Sequence, residues 1–276
     1  MKALLTTIII IISVTTSFVL IKRYRTPNVN TTTMVAPADA TPMKPINVAK
    51  ITRTIDLSSH PSQLAQIDEP KKQQIAGLDV SKLISVASSQ GLKPKALKSA
   101  LNAYSWALNH HKLGKNKEII TVVDFTLPSY EKRMWVLNLR QNKVLMKLHT
   151  TQGSGSGVVY ANRFSNVSRS QASSLGLYVT AGEYYGKHGK SMRLDGLQKG
   201  INHNALNRAI VIHEAGYASP EYIRANHRAG RSWGCFAIAP ASKNVLLNYV
   251  KGGSALFAYA NSIEKTPIIS NGPLSV

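Results

Sequence analysis

One cysteine, Cys235, and eight histidines are the residues of this 276-residue chain best suited to covalent chemistry. A cysteine attacks a carbonyl as its thiolate, so it needs a base within hydrogen-bond reach and donors for the oxyanion that forms. Both can come from Ile210 to Pro240, which reads IVIHEAGYASPEYIRANHRAGRSWGCFAIAP. A β-branched run delivers His213, and twenty-two residues later Ser232-Trp233-Gly234-Cys235 leads into the apolar run Phe236 to Ala239. If the two segments lie side by side in a sheet, sulfur and imidazole meet. Gly234 lets the backbone turn, and Ser232 and Gly234 are read as shaping the nucleophile turn and its oxyanion donors. Ser232 is also a second candidate partner for the imidazole. Arg231, Tyr217 and Glu214 flank the pair as candidates for substrate contact, Arg231 through a carboxylate unless it is simply solvated. If His213 activates Cys235, the thiol should titrate below the roughly 8.5 of a free cysteine.

Competing uses of the same residues are weaker. A zinc site from His203, His213, His227 and Cys235 would need spacings of ten, fourteen and eight, unlike compact ligand pairs, so no metal is expected. His203 and His227 read as structural or exposed. Gly153 to Gly157 matches neither a nucleotide-cradling GxGxxG nor a GxSxG serine elbow. Ser173, Ser174 and Tyr178 could line the cleft, although serines beside glycine are more often turn residues.

The elements that must position the pair follow from periodicity. Asp79 or Ser81 can cap a short helix that stops at Gly91, and Pro94 opens a second with Leu97, Ala100, Leu101, Tyr104 and Leu108 on one face. After Gly114 the period shortens. Ile119 to Phe125, the alternating Trp135, Leu137 and Leu139, and Val144 to Leu148 read as strands, as does Ala209 to Ile212 with His213 at its end. Gly153 to Gly200 is dense in Gly, Ser and Tyr and reads as short segments and loops. Ser242 to Val250 reads as a helix closed by Gly252-Gly253. Residues 79–114 are thus a helical segment packing on a mainly β catalytic domain at 115–262, with a tail at 263–276.

Lys and Arg number 34 against 13 Asp and Glu, a formal charge of +21, which implies an acidic polymer or surface nearby. The basic residues do not form one stripe, and aromatics do not interleave with them as on a base-stacking surface, so nucleic acid is not expected. Ala3 to Ile21 is apolar and close to the roughly 20 residues that span a bilayer. Residues 1–21 are therefore read as an inner-membrane anchor in preference to a signal sequence, with 22–78 as a flexible linker. Lys22, Arg23 and Arg25 oppose export under the positive-inside rule; the chemistry-bearing stretch is given precedence.

Several segments together resemble the murein L,D-transpeptidase catalytic domain of the YkuD type, in its S-x-G-C branch. They are VVDFTLPSYEKRMWVLNL (122–139), GSGSG (153–157), FSN (164–166), SSLGLYVT (173–180), GKHGKSMRLDGLQKGIN (186–202) and NRAIVIH (207–213). The resemblance covers roughly 79–262. It implies a compact β-sandwich or barrel, a cell-envelope location on the periplasmic side, and no metal or organic cofactor. It also implies catalysis by Cys235 and His213 on peptidoglycan stem tetrapeptides, through a thioester passed to an amine, and acylation by carbapenems. Hydrolysis of the same acyl-enzyme, as a carboxypeptidase or amidase, is the alternative within enzymes. A non-catalytic wall-binding module is the alternative outside them, and intact Cys235 and His213 argue against it. Three positions depart from the family pattern: Glu214 stands where Gly is usual, Phe236 where Pro is usual, and Gln152 where a histidine is expected.

Overall fold

The computed structural model describes residues 74–265. The expected anchor at 3–21, most of the linker and the end of the tail lie outside them. Among the described residues, no helix is long and apolar enough to cross a membrane.

Two helices come first. Helix α1 (Val80–Ser89) starts where Asp79 accepts a hydrogen bond from the Lys82 N–H at 2.9 Å, and the chain leaves it through Gly91 at φ +85°. Helix α2 (Pro94–Asn109) has Pro in its first turn and buries Leu97, Ala100, Leu101, Tyr104 and Leu108, the face set by the three- and four-residue spacing. Both helices put their buried side chains into one cluster with the strands. Trp135, fully buried, donates from Nε1 to the Gln90 carbonyl at 3.2 Å, tying α1 to the sheet. Burial of an apolar side chain of this size contributes about 1.5–3 kcal/mol.

The strands are β1 (Ile119–Asp124), β2 (Met134–Asn138), β3 (Lys143–Leu148), β4 (Gln152–Gly153), β5 (Gly176–Gly186), β6 (Gly189–Gly196), β7 (Val211–Glu214), β8 (Arg231–Ser232), β9 (Phe236–Ile238) and β10 (Ala255–Tyr259). Eight of them form one sheet in the order β3-β2-β1-β10-β5-β6-β7-β9, and β4 pairs with β8 in a second, two-stranded sheet. The pairs β1–β10 and β7–β9 are parallel; the other neighbours in the large sheet are antiparallel. Helices α3 (Pro220–Asn226) and α4 (Lys243–Val250) fill out the second half.

The sheet is barrel-like because its edges meet. Beyond β3 the chain reaches β9, where the Thr151 N–H and the Thr150 hydroxyl both donate to the Ala237 carbonyl, each at 3.1 Å. The Ala237 N–H donates in turn to the Thr151 hydroxyl at 3.3 Å. Arg133, fully buried, holds this crossing: its guanidinium donates to the carbonyls of Thr150 and Leu127 and to the Gln152 side-chain oxygen. Here lies a physical use for Gln152 in place of histidine. Its carbonyl oxygen accepts from a buried cation.

The fold departs from the sequence expectation in three places. Gly153 to Gly200 is not only short segments and loops, since its second half holds the long β5–β6 hairpin. The strand expected at Ala209 to Ile212 begins two residues later, because Ala209 lies in the left-handed region at φ +53°, and His213 stands inside β7. The run after Gly253 is β10, a central strand.

Candidate active site

Parallel pairing of β7 with β9 sets Ile212 beside Phe236, His213 beside Ala237 and Glu214 beside Ile238. Ile212, Phe236 and Ile238 belong to the main core, whereas Ala237 packs with Ala215, Ala218 and Tyr217 in a small separate cluster. Side chains alternate along strands, so His213 points away from the main core, to the face that Ala237 shares. Cys235 lies two residues before Ala237, about 7 Å along the strand direction. The two segments do lie side by side, with the residue next to His213 two positions beyond Cys235.

The turn that delivers the thiol is closed by Ser232. Its hydroxyl accepts from the Gly234 N–H at 3.1 Å and donates to the Cys235 carbonyl at 2.7 Å. Ser232 therefore serves the turn and does not bond the imidazole. Gly234 has φ +115°, and a Cβ there would stand 2.7 Å from the Ala172 carbonyl oxygen and 3.2 Å from Arg208 Nη2. Both the conformation and the close approach demand glycine. Behind the turn, the Ser173 hydroxyl accepts from the Gly153 N–H at 3.0 Å and donates to the Gly234 carbonyl at 3.5 Å. Ser174 accepts from Arg208, and Tyr178 donates to the Ser174 carbonyl, so these buried residues brace the turn.

Around the half-buried thiol, Sγ donates to the Ala209 carbonyl at 3.5 Å. Burial pushes the thiol above its ordinary value; the Val211 N–H and the Arg208 charge pull partly back. The expectation of a thiol below free cysteine is thus corrected: desolvation of the thiolate outweighs the groups that favour it. His213, only 3 % exposed, bonds through Nδ1 to the Glu214 carbonyl at 2.9 Å, and its ring stacks on His188 at 4.4 Å between centroids. A carbonyl only accepts, so Nδ1 carries the proton and Nε2 is left as the acceptor. Burial lowers the imidazole pKa, aided by the neighbouring His188, while the Glu214 carbonyl and carboxylate oppose the shift. Among the described residues, no hydrogen bond joins Sγ to this ring.

The flanking residues separate. Tyr217 packs with Ala237 in the small cluster, and burial first, then a charge at Cys235, raises its phenol. The Glu214 carboxylate is instead paired with Lys243 at 2.8 Å. Arg231 is exposed on β8, opposite Gln152. His203 bonds Asn166 and the Gly200 N–H, and His227 ends α3 in a left-handed conformation. Among the described residues, no three His, Cys, Asp or Glu stand together as a metal site. Sequence reasoning passes over Arg208, one basic residue among 34, and His188. It also assigns nothing to Trp233, which is 76 % exposed beside the nucleophile turn although an indole so placed is itself a signal.

The family profile described as YkuD_2, L,D-transpeptidase catalytic domain, matches residues 88–259. The chain belongs to that family. The L,D-transpeptidase catalytic domain therefore takes in α2, all ten strands and the cysteine turn. No curated protein matches the chain. Among solved structures, an L,D-transpeptidase from Mycobacterium smegmatis is similar at 14% identity and TM-score 0.33, over 52% of this chain and 59% of that one. The LD transpeptidase LdtMt1, solved in complex with imipenem, is similar at 12% identity and TM-score 0.33, over 51% and 59%. An L,D-transpeptidase from Stackebrandtia nassauensis is similar at 12% identity and TM-score 0.33, over 70% and 97%. The chain thus spans about three fifths of the first two structures it matches.

Proposed function

We propose that this domain is a peptidoglycan L,D-transpeptidase of the cell envelope that works through a thioester on Cys235. One observation supports the proposal: parallel pairing of β7 with β9 sets His213 beside Ala237, two residues from Cys235. Family membership supplies the reaction class.

The resting pair is neutral, because burial disfavours both the thiolate and the imidazolium. When a stem tetrapeptide binds, the Sγ–H proton leaves the Ala209 carbonyl for His213 Nε2, and sulfur attacks the carbonyl carbon of the third residue. The Gly234 N–H is already held by Ser232, so the Cys235 N–H is the donor this turn offers to the oxyanion. Collapse breaks the peptide bond, and the imidazolium gives its proton to the departing amine of the terminal D-alanine. The amine of a second stem then attacks the thioester, His213 takes its proton, and the thiol is restored. Arg208 positions the turn and favours the transient thiolate.

Intact-protein mass spectrometry after incubation with purified muropeptides tests this. A covalent stem-peptide adduct is expected on wild type and a 1:1 adduct with a carbapenem, with neither on Cys235→Ala. Muropeptides analysed with and without an added amine then separate transfer from hydrolysis. Adducts on the alanine variant, or none on wild type, would overturn the assignment of the nucleophile.

A further inference from the structure

Cys235 and His213 do not have their face of the sheet to themselves. Antiparallel pairing of β6 with β7 sets Met192 opposite Ile212 and Arg193 opposite Val211. Met192 and Ile212 point into the core, so Arg193 and Val211 point to the face of His213. On β5, Tyr184 pairs with Ser191, which is two residues from Arg193 and on the same side. The Arg193 guanidinium lies 4.2 Å from the centre of the Tyr184 ring. With Leu206, Ala209, Ile210 and Val211 these two side chains line a cavity of about 160 Å³.

Two of its lining residues meet the reacting atom through their backbone: the Ala209 carbonyl accepts from Sγ, and the Val211 N–H faces it. Beyond that ring the cation is exposed, and among the described residues Arg193 makes no ion pair, with Glu183 held by Lys190 at 2.9 Å and Glu214 by Lys243 at 2.8 Å. Asp195 shares the strand and also makes none with it. An arginine stacked on a ring and left without a carboxylate is pre-ordered to receive one.

The geometry points to a carboxylate-binding subsite for the acyl donor, in which Arg193, steadied by Tyr184, takes an anionic end of the substrate while Leu206, Ile210 and Val211 cover its apolar stem. The inference rests on the proposed function. Strand β6 lies two strand spacings from β9, about 10 Å. The family resemblance implies a diamino acid as the third stem residue, and in one that carries a second carboxylate at the far end of a seven-carbon chain the scissile carbonyl and that carboxylate are six bonds apart, about 7 Å extended. An arginine side chain spans the remainder. The terminal carboxylate of the departing alanine is a nearer source of the same chemistry, and the test must tell the two apart.

The experiment measures KM and kcat of the full chain with tetrapeptide donors that differ only in amidation of one carboxylate, distal or terminal. Wild type should show KM higher by about 10- to 100-fold, the usual worth of a charge-assisted hydrogen bond, on the donor amidated at the carboxylate Arg193 holds. Arg193→Gln should show that raised KM on the free donor, no further rise on amidation, and little change in kcat. Arg193→Lys should recover part of the loss. Loss on distal amidation assigns the subsite to the diamino acid, and loss on terminal amidation to the leaving residue. Wild-type KM in Arg193→Gln on every donor, or a rise of the same factor whether or not the donor is amidated, would overturn the subsite. Intact mass separates the levels. If wild type forms the Cys235 adduct while Arg193 proves inert, only the subsite falls; if no donor acylates Cys235, the function falls with it.

Discussion

Removing the Arg208 charge should raise the pKa of the Cys235 thiol by about one unit. Arg208 Nη2 lies 3.2 Å from the point a Gly234 Cβ would occupy, one residue before the sulfur. That places the guanidinium on the order of 6 Å from Sγ, and at an effective dielectric of about 20 such a charge is worth roughly 3 kcal/mol to a thiolate. Arg208 is half-buried, and solvent screening removes about half of this, leaving about 1.4 kcal/mol or one pKa unit. Arg208→Gln deletes the charge and some of the bonds to Ser165, Ser170, Ser174 and Ala172; Arg208→Lys keeps the charge and loses the fork. The assay is the pH dependence of iodoacetamide alkylation, read by intact mass. At fixed pH below both values, the thiolate fraction falls about tenfold in Arg208→Gln. A more basic thiolate is also more nucleophilic, with a slope of about 0.4–0.5, so the observed rate falls only about threefold. The pKa is therefore the quantity to compare. An unchanged or lower value in Arg208→Gln would refute the charge argument and leave Arg208 only its hydrogen bonds. A rise in Arg208→Gln with none in Arg208→Lys would establish it.

Three further outcomes follow from the same geometry. Gly234→Ala should lower stability by about 1–3 kcal/mol, seen as a lower melting temperature, because a Cβ at φ +115° meets the Ala172 carbonyl at 2.7 Å. His213→Ala should slow carbapenem acylation by roughly 10²–10⁴, while His203→Ala and His227→Ala, whose rings serve a loop and a helix end, leave it within about twofold. On the proposed function His213 must be unprotonated to act, and burial holds it below its ordinary pKa, so the acidic limb of the rate profile should fall below about 6.5. Glu214 opposes that depression, so Glu214→Gly should move the limb to still lower pH; a shift upward would contradict the assignment of His213 as base.

Elements with an undisturbed period are legible in the residues themselves. The face of α2 is the one its spacing shows, and β1 to β3 stand where β-branched and alternating residues put them. The Cys235 turn is legible because a Ser-x-Gly-Cys segment states its own backbone needs. Strand β10 is not, since Ala255 to Tyr259 is buried throughout and a short apolar run has no period to read. The β5–β6 hairpin is hidden by its glycines and by an outer half that reaches into solvent. Ala209 misleads for a local reason: no residue type announces a left-handed alanine, yet that conformation accompanies the carbonyl that meets the thiol. Arg208 acts through contacts with residues more than thirty positions away, a distance over which sequence pattern carries no signal.

Closure of the large sheet has a consequence for how substrate choice can change. An open edge would let a peptide dock as one more strand, its backbone matched against the protein's own and its side chains read only secondarily. Beside the Cys235 turn the last strand is sealed by Thr150 and Thr151, whose groups occupy the Ala237 backbone a guest strand would need. On the proposed function, a donor then arrives across the face and is recognised by what projects there. Exposed side chains can be exchanged one at a time without touching the ladder that holds the barrel shut. On that reading, a change of acyl donor is a matter of surface residues on β5, β6 and the 230s, with the scaffold indifferent to the outcome.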